Sequence, residues 1–458
     1  MLFATPSPVV TAFFIPQIIS RKVGAFPLSF VLRSNSIGQP SNSKLMSSTQ
    51  LRVFLLFSAG YFVSYVFRGV NLGFAPFITH DLGLSAADLG LLTSLYFLGF
   101  AGAQIPAGVL LDHFGARRVT AVTLLFAALG IWVFGAAHSV GVMMVGRLLI
   151  GVGVSVCLGA AFKALAQHFA AARLPLMNGL VMAIGGFGGV MVGSPLTWAL
   201  TFASWRAVCV GLGVLTVLVA LAQWTLAPDT KESHHQASLG AQFKGTLHIL
   251  RSAAFWKIAS FSVVTQGVFY AMQSLWVGAW LRDVQGFEPR EAAALVSILG
   301  FAMMAGCVGF GAAARGLERR GISLYAFCGI GMALYVVTQL LIMFKAPLPA
   351  GLLWAAYGIF GGTGILSYAV MARHFPAQMI GRVNTTLTLI IFLLIFGFQI
   401  GVGAVLSHWP ASGGHYPAAA HLTAWGILVA LQVASAIWYV LPGRKLVRPT
   451  EVHAEQDA

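Results

Sequence analysis

The chain has 458 residues, of which 58% are hydrophobic and 9% charged, and its formal net charge is +15. A soluble domain carries about 25% charged residues, so this composition excludes an ordinary soluble protein and points to an integral membrane protein. No cluster of Lys and Arg interleaved with aromatic residues is present, which argues against nucleic acid and leaves cationic loops beside anionic lipid as the source of the charge.

Residues 1–45 hold Ser, Pro, Arg and Lys and no acid. They read as a leader or an over-extended start and are set apart from the fold. Apolar runs of about 20 residues follow, the length a helix needs to cross a bilayer. Read between polar breaks, they predict twelve spans over 52–78, 87–111, 118–137, 141–166, 176–199, 206–227, 256–281, 291–314, 322–344, 349–372, 383–407 and 421–441. The connections after the even-numbered spans and the C-terminal tail, with Arg118 and Lys257 at span edges, hold fifteen Lys and Arg, and those after the odd-numbered spans, with Arg206 at a span edge, hold four. The positive-inside rule then places both termini in the cytoplasm of an inner-membrane protein.

Residues 228–255 begin with a polar break, PDTKESHHQ. They are expected to form a cytoplasmic linker between two six-helix bundles, 46–227 and 256–445, with a tail at 446–458. His234 and His235 lie in this linker without a third ligand nearby, so no metal is expected. Cys157, Cys209, Cys307 and Cys328 sit in apolar runs and read as small core residues. The halves echo one another. His168-Phe169 and His374-Phe375 are 206 residues apart, as are Asn178 and Asn384. This shared offset suggests duplication of a six-helix unit.

Several polar residues interrupt the spans. Tyr61, Tyr65 and Arg68 fall at i, i+4 and i+7 on one face of span 1, and two phenols beside a guanidinium form a cradle for an anion. The competing reading is a structural Arg paired to carbonyls. Gln266, Tyr270, Gln273 and Trp280 share a face of span 7, either lining a cavity or bonding helix to helix. Tyr357 and Tyr368 in span 10 repeat that pattern more weakly. Lys163 either lines a vestibule or snorkels to the interface. All twelve acids lie in loops, tails or span edges, which argues against a buried-carboxylate proton relay.

Two motifs carry a family resemblance. GVLLDHFGARR (108–118) resembles the loop signature of the major facilitator superfamily, with His113 at the usual basic position; GRLLIGVG (146–153) resembles its Arg-x-x-x-Gly-x-Gly element. The resemblance implies an all-α fold of two pseudo-symmetric six-helix bundles that rock around a central site. Gly108, Asp112, Gly115, Arg117, Arg118 and Arg147 are then the gating residues, with Asp112 held by backbone amides or by Arg partners on the other half. The stretch GYFVSYVFRGVNLGFAP (60–76) resembles the opening of organophosphate:phosphate antiporters, in which a second Arg from span 7 completes a phosphate clamp. Here Tyr270 stands near that position, so one Arg fits a singly charged carboxylate or a larger amphipathic anion. AIGGFGGVMVGSPL (183–196) loosely resembles the glycine-rich signature of nitrate porters, but the arginines those carry in spans 2 and 8 are missing.

No nucleotide-binding loop, zinc-ligand spacing or nucleophile constellation appears, so neither enzyme activity nor a cofactor is expected. The expectation is a monomeric secondary transporter of a small organic anion. Arg68, Tyr61, Tyr65, Gln266, Tyr270, Gln273, Tyr357 and Lys163 are its candidate substrate contacts. The alternatives are efflux of neutral or amphipathic compounds, or a transport-inactive sensor of the same fold.

Overall fold

A computed structural model describes residues 46–170, 173–228, 239–318, 320–376, 379–412 and 415–441. The leader 1–45, the His234–His235 pair and the tail 446–458 lie outside the described residues.

Among the described residues, fifteen of the sixteen α-helices account for the twelve spans. Helix α1 (Ser48–Leu82) starts with a capping box in which the Ser47 side chain and Gln50 satisfy each other's backbone amides, and it stops at Gly83 in the left-handed region. Helix α2 (Ala86–Ala136) covers spans 2 and 3. It turns at Gly115, whose φ of 77° and ψ of 159° are open in practice to glycine alone.

Span 4 is α3 (Val140–Val154) and α4 (Cys157–His168); span 5 is α5 (Leu174–Met191) and the short α6 (Ser194–Ala199); span 6 is α7 (Trp205–Leu226). Span 7 comprises α9 (Ala253–Ala271), a π-helical turn at Met272–Trp276, and α10 (Val277–Asp283). Spans 8 and 9 are α11 (Pro289–Glu318) and α12 (Leu324–Met343). Span 10 is α13 (Ala350–Gly361) and α14 (Leu366–His374), joined by a 3₁₀ turn, and α15 (Ile380–Leu406) and α16 (Ala418–Val440) complete the set. Nine of the described helical stretches, counting α3 with α4 and α13 with α14 as one each, are long and apolar enough to cross a membrane. The remaining spans are found in the turn inside α2 and in the interrupted spans 5 and 7.

One element was not foreseen. The expected linker contains α8 (Leu239–Leu250), which packs against α2 and α15. It buries Thr246 and Ile249 and leaves Phe243 outward. Its 12 residues are too short to span a bilayer, so a search for long apolar runs passes over it.

The duplication is visible in local geometry. His168 Nδ1 meets the Ala164 carbonyl at 2.9 Å and His374 Nδ1 meets the Val370 carbonyl at 2.8 Å. Each ring satisfies a carbonyl of the last turn. The next residues, Phe169 and Phe375, then leave their helices at φ/ψ of −118°/144° and −119°/148°. Close helix contact follows the glycines of the second motif: a Cβ on Gly151 would lie 2.0 Å from the Tyr96 carbonyl oxygen, and one on Gly153 would lie 2.4 Å from the Ala127 nitrogen.

Candidate functional site

Arg68 lies between the halves with 9% of its surface exposed. Its guanidinium carbon stands 4.4 Å from the Tyr65 ring centroid, 5.3 Å from Tyr270, 5.3 Å from Phe392 and 6.0 Å from Phe100. Tyr65 and Phe100 come from the first half, Tyr270 and Phe392 from the second. The ring faces offer diffuse negative charge to the cation, yet none can neutralise it. Among the described residues no ion pair reaches Arg68, and its Nε has no hydrogen-bond partner. A charge buried at membrane depth without a counter-ion is costly, and such residues mark substrate pathways.

Arg68 is buttressed from below. Tyr96 donates to the Ser64 carbonyl at 3.2 Å. Arg147, fully buried, donates to the Phe67 carbonyl at 3.2 Å and stacks over Tyr96 and Phe134. Asn71 donates to Thr93 Oγ1 at 3.0 Å, tying α1 to α2. Tyr61 packs edge-on against Tyr65, with ring centroids 5.2 Å apart, and directs its hydroxyl to Met182.

On span 7, Tyr270 and Gln273 remain partly exposed, and the Gln273 amide donates to the Met303 sulfur at 3.8 Å. The π turn begins two residues after Tyr270. The Ala271 carbonyl at its edge accepts from Gln399 Nε2 at 2.8 Å and from Ser274 Oγ at 3.2 Å, so α15 repairs the shifted ladder. Gln266 is differently employed. Its amide donates to Ser262 Oγ at 3.0 Å and to the Gly364 carbonyl at 3.1 Å, which binds α9 to the 3₁₀ turn of span 10.

Tyr357 is also not beside Arg68. It is fully buried in an aromatic cluster of the second half with Phe269, Tyr335, Trp354 and Trp425. Tyr368 bonds to Thr388 at 2.9 Å. Lys163, expected free in a vestibule or snorkelled, is paired with Asp112 at 2.7 Å and donates to the Leu111 carbonyl at 2.6 Å. Among the described residues Asp112 is therefore paired with a Lys of the same half rather than with an Arg of the other. Arg117 donates to the Ala227 carbonyl at the end of α7. Arg118 is exposed and Gly108 lies partly exposed on α2.

At the opposite end of the spans the halves are joined. Gly90 faces the Gln399 carbonyl and Trp276, and Gly403 faces the Ala86 carbonyl, so α2 and α15 meet backbone to backbone. Phe100 and Phe392 continue the seam as a stacked pair 4.0 Å apart. The first amides of α2 have no partner within the helix. Ala86 N–H donates to the Tyr416 hydroxyl and Ala87 N–H to Ser407 Oγ, both at 3.0 Å, while Asp88 N–H is capped by Ser85. Two hydroxyls of the second half thus cap a helix of the first.

Tyr416 is itself held in place. Its amide donates to Asp283 at 3.2 Å, and the same carboxylate meets His415 at 2.8 Å and His421 at 2.9 Å. Asp283 is the last residue of α10, two residues beyond the predicted apolar span 256–281. Burial pushes its carboxyl up, but the His421 and His415 bonds and the Tyr416 amide outweigh that and hold it below the usual carboxylate range. This cluster adjoins a cavity of about 700 Å³ at the Asp283 end.

The seam was missed in the sequence because Gly90, Ser407 and Tyr416 are ordinary helix-end and loop residues there. Only the pairing of α2 with α15 gives them a role. Phe100 and Phe392 likewise read as generic span residues.

A residue profile described as the Major Facilitator Superfamily matches residues 57–398. The chain belongs to this family. Its members are transporters rather than enzymes, and the twelve-helix reading of the fold follows. Among curated proteins, a probable nitrate/nitrite antiporter of Thermus thermophilus is 25% identical, covering 92% of this chain and 98% of the relative. A probable sulfoacetate transporter of Cupriavidus necator is 24% identical, covering 54% of this chain and 60% of the relative. Among solved structures, a bacterial homologue of the human lysosomal transporter Spinster, inward-facing and unoccupied, superposes with a TM-score of 0.66 at 18% identity. It covers 87% of this chain and 96% of that one. The chain is a multi-pass secondary transporter of this superfamily.

Proposed function

We propose that the protein moves a small organic anion across a bacterial inner membrane by alternating access, with Arg68 as the main charge contact. The observation that carries this reading is the burial of Arg68 among Tyr65, Phe100, Tyr270 and Phe392 without a carboxylate partner. An anion entering between the halves supplies the missing charge, and contact with rings from both bundles couples its presence to their relative motion. The relatives support an anion: one is a probable nitrate/nitrite antiporter and one a probable sulfoacetate transporter. A single Arg among aromatic faces favours a carboxylate or sulfonate with an apolar part over a phosphate dianion. Both termini and the Asp112 end face the cytoplasm, as the loop charges suggest. The Asp112–Lys163 pair and the α2–α15 seam act at opposite ends of the cycle.

The test is a thermal-shift panel on purified protein, using carboxylates, sulfonates, nitrate, organophosphates, sugars and cationic drugs, with Arg68→Gln run alongside. A ligand of the folded state raises its apparent stability. Carboxylates or sulfonates that shift the wild type and not the variant support the reading. Neutral or cationic compounds that shift both alike make Arg68 structural and favour an efflux carrier.

A further inference from the structure

The cavity at the Asp283 end holds a second cation that the site around Arg68 does not use. Arg282 lines it, together with Thr79, His80, Ser85, Thr197 and Thr201. Among the described residues no hydrogen bond or ion pair reaches the Arg282 guanidinium, and its Nε is buried without a partner. The neighbouring carboxylate acts on it through its charge but makes no ion pair with it. Asp283 is committed to His415, His421 and the Tyr416 amide. Asp81, next to His80 of the lining, is committed to Trp205 and Arg206 at 2.9 and 2.8 Å. The cavity therefore combines a guanidinium that makes no ion pair with hydroxyl donors in a volume of small-ligand size.

We propose that this cavity is a peripheral anion site, in which a small carboxylate or sulfonate docks on Arg282 on its way to or from Arg68. Arg282 and Tyr270 lie on the same span, 12 residues and so about 18 Å apart along a helix. The two sites are thus separate stations of one path. A cation at the mouth raises the local concentration of the anion, and the hydroxyls orient it. This inference rests on the anion reading of Arg68 for its place in transport but not for its occupancy.

The experiment is protection of Arg282 from phenylglyoxal, an arginine-directed dicarbonyl, by methanesulfonate replacing chloride at constant ionic strength. Modification is mapped by mass spectrometry on the full-length wild type and on Arg68→Gln. The expected result is that Arg282 is modified without methanesulfonate and slowed roughly tenfold at ten times the half-saturating concentration, equally in both proteins. Absence of modification at Arg282 shows that the cavity does not admit a small ligand and overturns the site. Modification without protection, or protection lost in Arg68→Gln, overturns it as well. Protection at Arg282 with no Arg68-dependent thermal shift leaves the peripheral site standing and sinks the central one. Arg282→Lys, compared for melting temperature and for loss of the mapped adduct, checks that the signal comes from this position in a folded protein.

Discussion

Arg147 donates to the carbonyl of Phe67, the residue that precedes Arg68. A buried cation of span 4 thus holds the turn of α1 that presents the central arginine, with Tyr96 between the two. Hydrogen bonds from charged groups contribute about 1.5–3 kcal/mol, but an incompletely paired buried charge is itself expensive. Arg147→Met keeps the volume and removes both terms. The expected outcome is a melting temperature close to wild type with uptake at least about tenfold slower, since roughly 1.4 kcal/mol of misplacement suffices for that factor. Normal uptake in a folded Arg147→Met protein contradicts a positioning role.

Arg68→Gln removes the only charge in the aromatic ring of residues. Loss of a charged contact of about 1.5–3 kcal/mol weakens anion affinity tenfold or more. Arg68→Lys retains charge but loses the planar face that lies over Tyr65, so an intermediate affinity is expected. Direct titration of the three proteins checks the order.

The α2 cap made by the second half consists of two neutral hydrogen bonds, each contributing about 0.5–1.5 kcal/mol. Tyr416→Phe and Ser407→Ala together are expected to shift the population away from the state closed at the Asp283 end by roughly tenfold. Thiol labelling of a cysteine placed at Thr79, in the cavity, reads this as faster modification by a membrane-impermeant reagent. Unchanged labelling means that the Gly90 and Gly403 contacts hold the seam alone.

Asp283 gives the fold a pH dependence of known sign. Its carboxyl lies below its ordinary value of 3.8 in the folded protein: burial opposes this and the His421 and His415 bonds win. A depressed pKa contributes stability that is complete above the ordinary value and is lost as pH falls through the lower, folded one. The melting-temperature gap between wild type and Asp283→Asn is therefore largest near neutrality and closes on acidification below about pH 4. A gap that widens on acidification contradicts this arrangement.

Gly115→Ala places a Cβ at φ 77° and ψ 159°, a region that costs a non-glycine residue about 1–3 kcal/mol. The expected result is a lower melting temperature, with binding at Arg68 preserved because the strain lies at the Asp112 end. Loss of binding without loss of stability argues that this turn acts on the central site directly.

The twelve spans were legible because hydrocarbon demands long apolar runs, and the repeat was legible because His168 and His374 close their helices in the same way. Helix α8 was not, being short and amphipathic. Arg68 stood out because a buried charge is rare, and Tyr65 and Tyr270 followed from helical spacing. The same spacing misplaced Gln266 and Tyr357. A shared face does not say whether it meets a cavity or another helix, and these two face Gly364 and the Trp354 cluster. Lys163 gained its role only from the folding of α4 onto the end of span 2, and Phe392 only from packing across the halves.

The most direct measurement is uptake into proteoliposomes of the anion that gives the largest thermal shift, comparing wild type, Arg68→Lys and Arg68→Gln at matched protein levels. The account predicts saturable uptake by wild type, weaker uptake with a raised half-saturation by Arg68→Lys, and none above empty vesicles by Arg68→Gln. Equal uptake by wild type and Arg68→Gln would contradict it.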